Sequence, residues 1–145
     1  MPSSGVGSRP HARPNVAHEI ERSQKLSSAF VVSAKRGDVL AVRRRIGFGI
    51  GDRRERFVVL QSDVLPADLE TVIVAPLDDD LPLYAPDPLV VRVSRREAGS
   101  TRPQVVLVSH LTSVLRERFD SVRVGRLRAA SMKSVDRLAM IVLEL

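Results

Sequence analysis

The chain has 145 residues, 43% of them hydrophobic and 3% aromatic, with a formal net charge of +6 and no cysteine. That length holds one domain with one hydrophobic core, and the missing cysteine excludes disulfides, zinc fingers, iron–sulfur clusters and thiol catalysis. No apolar run approaches the ~20 residues of a membrane helix, and Phe30–Val32 is too short for a signal segment, so a cytoplasmic protein is expected.

Residues 1–34 open with Ser, Gly, Pro and Arg and little to bury. They read as a flexible N-terminal extension, with Asn15 able to cap a short helix reaching about Ser28. A domain over 35–145 follows. Strands are expected at Asp38–Val42, Phe57–Ser62, Thr71–Pro76, Leu89–Val93 and Gln104–Val108, with a short sixth at Val122–Leu127. Phe57–Ser62 and Thr71–Pro76 are apolar on both faces, which marks central, covered strands. Turn formers separate them: Gly47, Gly49 and Gly51, then Pro66, the Pro-rich stretch from Asp78 to Pro88, and Gly99. Short strands at this spacing predict a small, mainly β protein: an antiparallel barrel or strongly curled sheet. At the C-terminus the period changes. Met132, Val135, Leu138, Ala139 and Val142 line one helix face behind Ser131 as N-cap. Ile141 and Leu145 fall off that stripe and are candidates for a dimer interface.

The charge is segregated along the chain. Residues 1–34 carry +2, 35–56 carry +5, 57–91 carry −7 and 92–145 carry +6. If the fold joins the two basic regions, they form a groove suited to a polyanion; the alternative is arginine scattered over the surface. The Gly-rich stretch "GFGIG" precedes a strand, so no helix N-terminus faces it and it is not a nucleotide-binding fingerprint. The run Asp78–Asp80 lacks the spaced ligands of a calcium loop, and no metal site is expected. His11 and His18 lie in the extension, which leaves His110 as the histidine inside the domain.

"KRGDVLAV", "RFVVLQSD", "TVIVAPL" and "VVLVSHLTSV" followed by "VGRL" and the final helix resemble, in order and spacing, the MazF/PemK/Kid family of bacterial toxins from Lys35 to Leu145. The resemblance rests on Arg36-Gly37-Asp38, on Gln61 and Asp63 after the second strand, and on Ala75-Pro76. It implies an SH3-like antiparallel β-barrel with a C-terminal helix, a homodimer, and metal-independent, cofactor-free cleavage of single-stranded RNA. It also implies a cognate antitoxin whose acidic C-terminal segment occupies the RNA groove. Such cleavage uses the ribose 2′-hydroxyl as nucleophile and needs a base, a cation for the phosphorane and an acid for the leaving oxygen. Arg56 stands where the family places an arginine just before the second strand. Asp78 stands where many members carry Ser or Thr, and is read as a base or as a group that repels phosphate. His110 is the remaining acid or base. Arg43, Arg44, Arg45, Arg53 and Arg54, with Ser109 and Thr112, are expected to touch RNA. Leu107 and Ser109 replace an acid and an arginine of some members, and Thr112-Ser113 replaces a frequent Arg-Thr pair. Two alternatives stay open: a CcdB-like protein-targeting toxin that poisons DNA gyrase, and a noncatalytic nucleic-acid-binding barrel.

Overall fold

The computed structural model describes residues 34–43 and 54–145; the N-terminal extension and most of the Gly- and Arg-rich loop lie outside them. Seven strands among the described residues form one curled antiparallel sheet. β1 (Asp38–Ala41) lies between β2 (Arg56–Val59) and β7 (Gly125–Arg126), and β2 lies against β3 (Thr71–Asp79). The far edge of β3 is shared: β6 (Thr112–Leu115) pairs with its first half and β5 (Gln104–Leu107) with its second. β4 (Val90–Val93) follows β5. Two α-helices, α1 (Arg95–Ala98) and α2 (Ala129–Leu143), are found among the described residues.

The alternation of side chains along β2 and β3 feeds two cores. Val58, Ala75, Leu77 and Val106 pack on the α2 side, where Val135 is fully buried and Met132, Leu138, Ala139 and Val142 join it. Leu40, Val59, Val72, Val74 and Phe119 fill the inside of the curl. Phe119 meets Phe57 edge-on, with ring centroids 5.7 Å apart. This is why β2 reads as apolar on both faces. β3 ends three residues later than its apolar run, because Asp78 and Asp79 continue the ladder opposite Val105 and Gln104. The expectation of a loop from Asp78 is therefore corrected: strand pairing outweighs the low strand preference of aspartate.

The motifs at the start of the domain are a structural joint. Gly37 adopts φ of +91° and donates its N–H to the Val59 carbonyl. Arg36 reaches the Leu60 carbonyl and pairs with Asp136 on α2, while its backbone N–H donates to Asp63 Oδ1 at 2.8 Å. Leu60 and Gln61 both donate their N–H to the Ile73 carbonyl, a bulge that ends β2. Gln61 Oε1 then accepts the Ile73 N–H at 3.2 Å, taking the place of a strand partner. Asp38, 4% exposed, accepts from the Lys35 N–H and from the guanidinium groups of Arg123 and Arg126.

A second joint locks α1 to β7. Ser94 and Glu97 form a reciprocal capping box. Glu97, 4% exposed, also accepts the Arg128 N–H at 3.0 Å. Burial by itself would raise the Glu97 pKa, but hydrogen bonds from Ser131, Arg128 and Ser94 outweigh it and lower the value to about 2. α2 consequently begins at Ala129, and Ser131 serves Glu97 instead of capping the helix. Gly99 ends α1 at φ of +62°, and a Cβ there would stand 2.0 Å from the Val124 carbonyl oxygen. A Cβ on Gly125 would stand 2.2 Å from the Glu97 carbonyl oxygen. The two backbones touch because neither residue carries a side chain.

Two expectations follow. Gly125→Ala presses a methyl group into main chain that cannot swing away. It should lower the free energy of unfolding, read from the denaturant midpoint, by at least the ~1–3 kcal/mol of ordinary overpacking. For Glu97, the unfolded chain takes up a proton near pH 4.5 and the folded chain only near pH 2. Stability from this group is thus complete above about pH 4.5 and is lost as pH falls toward about 2. The melting temperature of the native protein should fall across that window more steeply than that of Glu97→Gln, which starts lower and lacks the titration.

Candidate functional site

Arg56 is the first residue of β2, paired with Ala41, and is 8% exposed. Its Nη1 donates to the Arg54 carbonyl at 3.4 Å. Arg54 pairs with Asp120, and Arg43 donates through Nε to the Phe119 carbonyl at 2.9 Å. The arginines flanking the β1–β2 loop are therefore fastened to the segment that plugs the inner core. Arg44, Arg45 and Arg53 lie outside the described residues, as do the three loop glycines.

The ladder fixes how these groups relate. Phe57 faces Pro76, so Arg56 falls opposite Leu77 and one register step from Asp78. Because the pleat alternates, that step sends Arg56 and Asp78 to opposite faces of the sheet. Asp78 is occupied by other partners: its Oδ2 accepts the Tyr84 hydroxyl at 2.7 Å and its Oδ1 accepts the Asp79 N–H at 2.8 Å. This hydrogen bond to Asp78, with some desolvation, raises the Tyr84 pKa, so the phenol holds its proton more firmly. Arg92 binds the Tyr84 carbonyl at 3.3 Å and pairs with Asp80 at 3.4 Å. Tyr84, the single tyrosine of the chain, was not singled out in the sequence. Its signal was its position in an acidic stretch otherwise free of polar aromatics.

His110 ends a 3-10 turn, Val108–His110, between β5 and β6. Fully buried Val108 anchors that turn, and the Leu111 N–H closes it on the Val108 carbonyl at 3.2 Å. Ser109 and His110 stay exposed. The imidazole makes no hydrogen bond or ion pair among the described residues. Thr112, also exposed, opens β6 opposite Val74. Arg56 and this turn therefore flank β3 from opposite edges, about two strand spacings or ~9–10 Å apart. The geometry brings the Arg56 end of β2 and the β5–β6 turn to the same stretch of β3, while Asp78 is drawn into the Tyr84 pair. Among the described residues no cluster of three His, Asp or Glu side chains could hold a metal ion, and no helix is long and apolar enough to cross a membrane.

The family described as "PemK-like, MazF-like toxin of type II toxin-antitoxin system" matches residues 35–143. A comparison with curated protein sequences gave no match. Among solved structures, the chain is similar to a MazE–MazF complex from Deinococcus radiodurans, with a TM-score of 0.61 and 16% identity over 80% of this chain and 98% of the other. It is similar to the Mycobacterium tuberculosis toxin MazF-mt6, with a TM-score of 0.59 and 17% identity over 74% and 97%. It is also similar to an endoribonuclease in complex with its cognate antitoxin from a mycobacterial species, with a TM-score of 0.59 and 14% identity over 77% and 96%. At these identities the structures establish the curled sheet and terminal helix, and the family match spans that same region. The chain belongs to the PemK-like, MazF-like toxins of type II toxin-antitoxin systems.

Proposed function

We propose that this toxin is an endoribonuclease that cuts single-stranded RNA without a metal ion. The observation that supports it most is the placement of a fixed guanidinium, Arg56, across one strand from the exposed imidazole of His110, in a family whose solved members include an endoribonuclease. A phosphodiester spans a gap of that order. The 2′-oxygen attacks its own phosphorus, the bond to the 5′-oxygen breaks, and the ends are a 2′,3′-cyclic phosphate and a 5′-hydroxyl. Arg56 stabilises the phosphorane, whose charge a planar guanidinium matches. His110 moves a proton, from the 2′-hydroxyl or to the leaving oxygen. Asp78, bonded to the Tyr84 hydroxyl on the other face of the sheet, is given no proton to move in this scheme. Arg43, Arg54, Ser109 and Thr112 border it; Arg44, Arg45 and Arg53 add the charge of the adjoining loop. A cognate antitoxin with an acidic segment is the natural competitor for the same surface.

The toxin also acts as a homodimer in this reading. Met140, Ile141, Leu143 and Leu145 on or after α2 are 53%, 60%, 51% and 82% exposed. These side chains lie off the stripe that packs on the sheet, and an apolar surface of this kind is expected at an interface.

Purified toxin incubated with a mixed RNA pool in chelator should leave 5′-hydroxyl and 2′,3′-cyclic phosphate ends, and DNA of the same sequence should stay intact. Arg56 is buried, so Arg56→Ala can weaken folding as well; Arg56→Lys, with a circular dichroism spectrum as control, isolates the chemistry. Either variant, folded, should lose ~10²–10³ in rate, and His110→Ala ~10² or more. Folded Arg56 and His110 variants that cut at the native rate would reject this assignment. Sedimentation of the native chain should give a dimer at micromolar concentration, and Ile141→Glu should shift it to monomer with the melting curve retained.

A further inference from the structure

Residues 118–120 lie along the edge of β1 that β2 does not occupy. Val42 bridges Phe119, the Arg43 N–H donates to the Arg118 carbonyl at 2.8 Å, and the Asp120 N–H donates to the Ala41 carbonyl at 2.9 Å. On the opposite edge Ala41 pairs with Arg56, and the ladder continues one step further where the Val42 N–H donates to the Glu55 carbonyl at 3.0 Å. Register therefore puts Arg56, Ala41 and Asp120 in one row across three strands, and the residues of a row share a face. Phe119, one step away, points to the other face and fills the inner core. Arg54 stands two residues before Arg56, a spacing that keeps an extended chain on one face. Its guanidinium pairs with the Asp120 carboxylate, and its carbonyl accepts the Arg56 Nη1 at 3.4 Å. β1 lies between Arg54 and Asp120. Its residue in this row is Ala41, whose single methyl group lets the pair reach across the strand.

We propose that Asp120 is a positioning residue for Arg56, acting through Arg54; the proposal rests on the ribonuclease reading above. A guanidinium stabilises a phosphorane only if it is already aimed at it, and a misplacement of about 1 Å can cost on the order of a hundredfold in rate. Arg56 is the first residue of its strand, so the peptide before it is fixed by contacts beyond the β2–β3 ladder. Asp120 supplies one from a rigid support. Its backbone is bonded to Ala41, the residue that pairs with Arg56, and its neighbour Phe119 is fully buried. The carboxylate holds Arg54, and the Arg54 carbonyl orients the Arg56 guanidinium. Arg43 ties the other stem of the loop to the same support, through its Nε on the Phe119 carbonyl at 2.9 Å. In this arrangement the charge of Arg54 serves Asp120 before it serves RNA. Two plainer roles for Asp120 predict different behaviour. A partly exposed ion pair with no further duty contributes little, and its loss changes nothing in the reaction. A carboxylate that only faces the RNA repels phosphate, and its loss strengthens binding with no change in the chemical step.

The experiment compares the full-length native toxin with Asp120→Asn, which keeps the shape and removes the charge, and with Asp120→Glu, which keeps the charge. RNA cleavage is read as kcat and KM separately, the Arg56 Nε–Hε signal is followed by NMR, and melting curves check the fold. Asp120→Asn should lower kcat about tenfold to a hundredfold with KM unchanged, and should shift or broaden the Arg56 signal. Asp120→Glu should recover most of the lost kcat. In an Arg56→Lys background, Asp120→Asn should cost no further rate, because both changes act through one group. If Asp120→Asn does not fold, Arg54→Met removes the same pair from its other side, keeps the Arg54 carbonyl's place in the chain, and should lower kcat by the same factor. A native kcat in the folded variant, a change in KM alone, or a loss that adds in full to that of Arg56→Lys would overturn the positioning role. So would an Arg56 signal that stays in place, whether or not RNA is cut. A displaced Arg56 signal in a toxin that cuts no RNA would leave the positioning standing and reject the nuclease.

Discussion

A carboxylate buried at the first residue of β1 must find cations, and in this protein they come from the far end of the chain. Asp38 takes Arg126 at 2.5 Å and Arg123 at 3.0 Å, both from the segment that lies along the outer edge of β1. Leaving such a group uncompensated would cost several kcal/mol. The sheet is therefore complete only when residues 118–127 have run back along β1. Phe119, set in the same segment, closes the inner core, and the Asp120 and Val124 N–H groups bond to β1 carbonyls. Arg54 and Arg43 fasten to that segment too, so the placement of the candidate site depends on the closure that Asp38 requires.

This changes how the positive charge is understood. Several arginines that make the chain basic are engaged in ion pairs at the surface of the fold: Arg36 with Asp136, Arg54 with Asp120, Arg123 and Arg126 with Asp38, Arg128 with Glu97. A pair of this kind positions more than it attracts. The acidic middle of the chain is distributed in a similar way. Asp79 and Asp80 meet Arg102 and Arg92 across the β3–β4–β5 end of the sheet, and Asp78 holds Tyr84. The residues that resemble the family motifs most closely, Arg36-Gly37-Asp38 with Gln61 and Asp63, carry the joint between sheet and helix. They explain a shared fold better than a shared chemistry.

The two ends of β2 differ. At its start, Arg56 is held within a rigid strand beside the loop, and the β5–β6 turn presents His110 across β3. At its end, the bulge at Leu60 and Gln61 breaks the ladder. β3, which serves both cores, sets the spacing between Arg56 and the β5–β6 turn.

The strands, their order and the C-terminal helix were legible in the sequence because each is a short apolar run bounded by turn residues. The α2 stripe from Met132 to Val142 packs as its spacing requires. β6 escaped because Thr112–Leu115 is mostly exposed and lacks an apolar face, and α1 because four residues show no period, although Ser94 and Glu97 stand at capping-box spacing. Arg56 and His110 were legible as residue types at strand ends. Their burial and separation were not, because a one-residue step in register decides the face of every side chain and register is a property of paired strands. The fate of Asp78 was hidden for the same reason: its partner Tyr84 lies beyond a turn whose path depends on β3 continuing past its apolar run. Sequence alone marked the apolar strand segments and the terminal helix, and where charge is carried. Tertiary structure decided which charges are spent on one another, since that outcome depends on contacts between residues as distant as Asp38 and Arg126.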